Sequence, residues 1–348
     1  MNIKQMKTAI SKFRAADISA IKDDKLRTKA KKLQGKQGGF TLLELLVVIT
    51  LLATLATAAL VAYEGIGENA QDTAAATNIT IAESSIRNFR AVENAYPNQW
   101  DNLANLGGEL TGGAFDLLAD NTKDYFGQWV VDASGAGAVW SAAATALNAV
   151  GISELQTLQT TSTFNADVVP NLAFNESSPH NTADPADELE FEDGTVEYDG
   201  AAITNFAISI VPSSTDTVCT ANGVSLTGTL SGNTVTDSTA LNLINDALDD
   251  DGCHLVLALG FGKDVPGTTI DSRVAIAQVP TAGSTNVNPA NNYARFIALY
   301  HLGSADEDGS TPTDITAADI FSKARLIGIV DPEGRNLDQV IAGANTGA

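Results

Sequence analysis

Histidine and cysteine are scarce in this chain. Its 348 residues include three His and two Cys, too few ligands for a Cys/His zinc module. Positive charge is scarce as well beyond residue 39: of 20 Lys and Arg only nine lie there, against 42 Asp and Glu in the whole chain. Phosphate affinity needs clustered cations, so no nucleic-acid partner is expected. The sequence has no P-loop, no His-Glu-x-x-His, no Rossmann glycine fingerprint and no Gly-x-Ser-x-Gly elbow. His180, His254 and His301 are scattered along it. Acid pairs such as Glu190 and Glu192, which could suggest a glycosidase, arise by chance in so acidic a chain. No enzyme activity is expected. Hydrophobic residues, at 44%, are plentiful enough to exclude disorder throughout. The length allows one large or two small domains.

The charge is unevenly placed. Residues 1–39 carry eleven Lys and Arg and three Asp, a net of +8, which leaves −30 for the remainder. A strongly apolar segment begins where the two meet. Phe40 to Tyr63 is 24 residues with one charge, Glu44. As a helix it would reach about 36 Å, enough to cross a bilayer core. The basic flank predicts that residues 1–39 stay in the cytoplasm and the acidic part is exported. The apolar run is longer than the roughly 7–15 residues of a secretory signal, so a membrane anchor is the simplest reading of the segment alone.

The junction reads Gly38-Gly39-Phe40-Thr41-Leu42-Leu43-Glu44-Leu45-Leu46-Val47-Val48-Ile49. It resembles the processing site of type IV prepilins and type II secretion pseudopilins. The resemblance implies cleavage between Gly39 and Phe40 by an inner-membrane prepilin peptidase, and methylation of the new amino terminus. It also implies polymerisation through the N-terminal helix, with the chain itself and an inner-membrane assembly platform as partners. The physics gives the motif a reason. A carboxylate at mid-membrane costs about 2.5–3.5 kcal/mol. Glu44 lies one turn from the helix start, where the cost is lower and the helix dipole favours it. The α-amine created at Phe40 can pair with Glu44 of a neighbouring helix, neutralising both charges and fixing axial register. The alternative is a tolerated interfacial charge.

After the membrane segment, Ala75, Ile79, Ala82, Ile86, Phe89, Val92 and Tyr96 recur at helical spacing and predict an amphipathic second half that Pro97 ends. Gly65 and Gly67 mark a weak point or bend between the halves. Strand-like runs are Gln128–Asp132, Thr195–Tyr198, Ile203–Val211, Val224–Leu230, His254–Phe261, Arg273–Val279 and Tyr293–Tyr300. Helix-like runs are Trp140–Val150, Ser153–Gln159, Ala240–Leu248, Ala317–Leu326 and Leu337–Ala342. The pattern predicts an α+β fold with a mainly antiparallel sheet. The resemblance adds a pilin-like lollipop plan, in which the long helix packs on that sheet. The expected organisation is a removable leader at 1–39, a transmembrane assembly helix at 40–63, its amphipathic half at 64–96 and an acidic head at 97–348 with an enlarged C-terminal region. An exposed loop or boundary is expected near 171–193.

Tyr96-Pro97 followed by Trp100 and Leu103 is similar to the turn after the long helix in pseudopilins. Leu302-Gly303-Ser304-Ala305-Asp306-Glu307-Asp308-Gly309 is faintly similar to the acidic loop of the major pseudopilin. The proline that the family commonly carries in the middle of the membrane helix is absent; Val61 stands there. Asp306, Asp308, Ser310 and Asp314 are of the residue types that ligate calcium. The spacing is not an EF-hand, and a solvated acidic loop is the favoured reading. No other cofactor is expected. Export would place Cys219 and Cys253 in an oxidising compartment, where a disulfide is expected, in keeping with the one disulfide that pilins often carry near the C-terminal part; two buried thiols are the alternative.

The expected function is a structural subunit of a type IV pilus-like filament. It would wait in the bacterial inner membrane as a single-pass protein with its C-terminus outside, then join an extracellular or periplasmic filament. The alternatives are a type II secretion pseudopilin and a membrane-anchored adhesive or binding ectodomain.

Overall fold

The computed structural model describes residues 3–34, 42–132, 137–158, 170, 173–174, 187–192, 195–212, 219–226, 229–230, 233–234, 248, 253–262, 287–288, 291–305 and 314–346. The chain divides into two compact units, Met1–Glu64 and Gly65–Ala348.

In the first unit, α1 (Ile3–Ala15) and α2 (Asp24–Gln34) precede the start of α3 (Leu42–Glu93). Local side chains set their ends. Asp23 accepts from the backbone N–H groups of Lys25 and Leu26 at 2.9 and 3.4 Å, which caps α2. The Gln34 amide donates to the carbonyls of Phe13 and Ala16 at 2.8 and 3.1 Å. It thereby satisfies a terminal carbonyl of α1 and ties the two helices together.

In the second unit, the rest of α3 is one-sided. Ala75, Ile79, Ala82 and Ile86 are at most 2% exposed. Val92 leaves this stripe and is 80% exposed. At 100° per residue it lies about 110° round from the centre of the buried four, so the predicted stripe ends before it. The helix stays helical through Gly65 and Gly67. It ends at Glu93, where Asn94 takes a left-handed φ of 57°. That is the αL stop of a helix C-terminus, three residues ahead of the expected Pro97 break.

The chain then builds β1 (Trp100–Asn102), α4 (Asp120–Tyr125), β2 (Gly127–Asp132), α5 (Gly137–Asn148), β3 (Glu154–Thr157) and β4 (Asp187–Glu190). There follow β5 (Glu197–Tyr198), β6 (Ala201–Ala202), β7 (Asn205–Val211), β8 (Thr220–Ala221), β9 (Val224–Ser225), β10 (Thr229–Leu230) and β11 (Asn233–Thr234). The last elements are β12 (His254–Gly260), β13 (Ile297–Ser304), β14 (Asp314–Ile315), β15 (Ile320–Val330) and α6 (Leu337–Thr346). Ten strands form one sheet with the path β15-β13-β12-β1-β3-β4-β5-β6; β7 joins it beside β12 and carries β2. Its ladders are antiparallel except β1 with β3. The fold is α+β with an antiparallel-rich sheet, as the residue pattern predicts. A smaller sheet has the order β14-β8-β9, and β10 pairs with β11.

The central strand β12 is buried along its whole length. Leu255, Leu257 and Leu259 point into one apolar cluster, with Ala75, Ile79, Ala82 and Ile86 of α3 and with Trp140, Ala143 and Leu147 of α5. Val256 and Ala258 point into a second cluster with Phe115, Leu117, Tyr293 and Leu299. A strand covered on both faces is apolar at every position rather than alternating.

Several sequence expectations change. Within the expected helix Ser153–Gln159, Glu154–Thr157 is instead β3, held in parallel register by Trp100 and Asp101 of β1. Ala317–Leu326 is a single 3-10 turn, Ala317–Asp319, leading into β15. The helix-start signal there is real. Thr316 and Asp319 form a reciprocal capping box, but pairing with β13 then draws the chain out. The run at Tyr293–Tyr300 becomes strand only from Ile297, and the run at Thr195–Tyr198 only from Glu197. Val224–Leu230 contains the two short strands β9 and β10. Arg273–Val279, and Ala240–Leu248 apart from Leu248, lie outside the described residues, as does most of 171–193.

Candidate functional site

From Leu42 to Val61 the start of α3 is a 20-residue span with mean hydropathy 2.3, none of it buried within the chain. Twelve large apolar side chains are exposed along it, from Leu42 at 82% to Val61 at 65%. They point all round the helix, so no single face would cover them; the span needs lipid or several neighbouring helices. Its hydroxyls suit that setting. Thr50, Thr54 and Thr57 donate back to the carbonyls of Val47, Leu51 and Ala53, each at 2.9 Å. No polar hydrogen of these three is left for water to satisfy. Glu44 is in the first turn, exposed, at the end where the helix dipole favours a carboxylate. Gly39 and Phe40, the expected processing pair, lie outside the described residues.

Cys219 and Cys253 form a disulfide with Cα atoms 5.4 Å apart. Cys219 precedes β8 and Cys253 precedes β12, so the bridge joins the small sheet to the large one. The Trp129 indole supports the same seam by donating to the Ala221 carbonyl at 3.3 Å. Of the calcium candidates, Asp306, Asp308 and Ser310 lie outside the described residues. Asp314 is in β14 and accepts from the Thr220 hydroxyl at 2.8 Å. Among the described residues no group of three or more His, Cys, Asp or Glu is placed to hold a metal ion.

Three buried polar clusters were not legible in the sequence. In the first, Asp101 of β1 accepts from the Tyr293 hydroxyl and the Arg295 guanidinium, both at 2.8 Å. Asp101 pairs across the ladder with Gly260. A Cβ on Gly260 would stand 2.0 Å from the Tyr293 hydroxyl, so the missing side chain makes the space that this hydroxyl fills. Burial pushes the Asp101 carboxyl up to about 6, against the pull of Arg295 and the Tyr293 hydrogen bond.

In the second, His254 and His301 meet edge to face on β12 and β13, ring centres 5.2 Å apart. The two histidines that seemed scattered are neighbours, brought together by a non-local ladder. Phe321 meets His301 edge to face, ring centres 4.7 Å apart, and Arg325 lies over Phe321. Burial, with His254 and Arg325 nearby, pushes His301 down to about 4 despite a hydrogen bond with Gly303. In the third, Arg335 reaches Asp331 at 2.9 Å, Glu333 at 3.0 Å and Asp72 of α3 at 3.4 Å. Burial pushes Glu333 up to about 7 against the pull of Arg335, with Asp331 and Asp72 adding to the rise. All three clusters fasten strands, turns and the helix to one another.

Residues 34–60 match the family described as the prokaryotic N-terminal methylation motif. No curated protein and no solved structure matches the chain. The matched stretch takes in the Gly39–Phe40 junction, Glu44 and most of the exposed apolar span, and it supports a protein of the type IV prepilin or pseudopilin type.

Proposed function

We propose that this protein is a structural subunit of a type IV pilus-like filament. The observation that carries the proposal is the Leu42–Val61 span, apolar and uncovered on every side, directly after a methylation-type junction. Before assembly the span crosses the inner membrane, with residues 1–39 inside and the acidic head outside, as the charge asymmetry favours. Prepilin peptidase cuts after Gly39, and the assembly platform moves the helix from lipid into a bundle of its copies. There each α-amine at Phe40 meets Glu44 of a neighbour. In lipid a separated pair is expensive, so the helices settle where the charges meet. Heads form the filament surface.

The test is mass spectrometry of the amino terminus, on sheared surface material and on membranes separately. An N-methylated Phe40 in the sheared fraction is the expected result. The same terminus confined to membranes favours a secretion pseudopilin. Residues 1–39 intact in both fractions would overturn the filament reading and leave an anchored ectodomain.

A further inference from the structure

The long leader has a structure that charge alone does not require. On α1, Met6, Ile10 and Phe13 are exposed at 50, 38 and 44%. Their spacing of four and three stacks them on one face. At 100° per residue Lys7 and Arg14 lie along one edge of that face, while Lys4, Thr8 and Lys12 stand away from it. On α2, Leu26 and Leu33 are exposed at 58 and 59% on either side of half-buried Ala30. Five cations surround them: Lys25, Arg27, Lys29, Lys31 and Lys32. Both helices are short enough to be marginal in water by themselves, and both turn apolar side chains outward.

The attachment point narrows what can cover them. Only residues 35–41 separate the end of α2 from the start of α3. Fully extended, that connection reaches at most about 28 Å. The end of α2 therefore stays within that distance of the start of α3, and the Gln34 amide holds the end of α1 to it. A basic helix with one apolar face, tethered at a membrane, is complementary in charge and polarity to an anionic lipid surface.

We infer that α1 and α2 lie flat on the anionic cytoplasmic face of the membrane, with Met6, Ile10 and Phe13 at the headgroup–acyl boundary. The inference rests on the proposed inside location of residues 1–39. In this arrangement the leader keeps the processing step at the membrane surface, where an integral peptidase works. Cleavage releases the subunit from this hold.

The full-length chain can be tested in vesicles of phosphatidylcholine alone and of phosphatidylcholine with phosphatidylglycerol. Cys219 and Cys253 are bonded to each other, so Ile10→Cys and Thr8→Cys each provide one thiol for a spin label. In the anionic vesicles the Ile10→Cys label is expected to collide more with dissolved oxygen than with a water-soluble nickel chelate, and the Thr8→Cys label the reverse. Adding Met6→Glu and Phe13→Glu to Ile10→Cys should return that label to water, as should phosphatidylcholine alone at high salt. Equal, aqueous behaviour of both labels in anionic vesicles would overturn the inference. The underlying reading fails separately: added prepilin peptidase that leaves residues 1–39 attached removes the processing step, whatever the labels report.

Discussion

Glu44 is the one ionisable side chain between Leu42 and Val61, so its substitution isolates the proposed register contact. Glu44→Ala should leave membrane insertion intact, because it removes a charge from an apolar span. It should reduce sheared filament by at least about tenfold, the equivalent of ~1.4 kcal/mol per subunit contact. Normal filament yield from a normally inserted pool would sink the register argument. His301 offers a different kind of test. Its folded pKa of about 4 lies below the ordinary 6.5. The folded state therefore binds fewer protons than the unfolded one between those values. Stability from this group is full above pH 6.5 and is lost as pH falls towards 4, by about 1–3 kcal/mol. Glu333, raised to about 7, acts with the opposite sign as pH rises from 4.5. The informative quantity is thus the difference between variants. His301→Leu should show a smaller drop in Tm between pH 7 and pH 4.5 than the unaltered chain; an equal drop would refute the assignment.

At the scale of elements, what could be read from the sequence was whatever is local. The 3.6-residue period over Ala75–Ile86 gave the buried face of α3, and short β-branched runs gave β2, β7 and β12. The parallel pairing of β1 with β3 joins residues more than fifty positions apart; no local signal marks it. β15 was hidden by a valid capping box at Thr316 that serves one turn only. The His254–His301 contact depends on the ladder between β12 and β13, which brings together residues whose spacing along the chain carries no meaning. The Cys219–Cys253 bridge spans 34 positions, and closing such a loop is worth roughly 3–4 kcal/mol of chain entropy. Reduction, or the Cys219→Ser/Cys253→Ser pair, should lower the Tm of the head by about 10 °C, since each kcal/mol shifts a domain of this size by about 2–4 °C. Thermal unfolding followed with and without reductant measures it. An unchanged Tm would mean that the small sheet holds without its bridge.

For the whole molecule the dominant quantity is charge. Beyond residue 39 the net is −30, so in the proposed filament the heads would repel one another at short range. Screening shortens the reach of that repulsion to about 8–10 Å at ordinary salt and about 3 Å at 1 M. Filament yield and bundling should therefore rise with ionic strength and with divalent cations, read by sedimentation; indifference to both salt and chelator would argue against close-packed heads. Arg335 bears on a further property, load. Under tension the proposed filament would be pulled through its helices, and force would enter each head along α3. Asp72 stands near that entry, paired with Arg335, which also pairs with Asp331 and Glu333. A Cβ on Gly343 of α6 would lie 3.1 Å from the Asp72 carboxylate, so the C-terminal helix packs at the same place. Residues after β15 thus brace the amphipathic half of α3, and a pull on α3 would load this ionic joint before peeling the helix from the sheet.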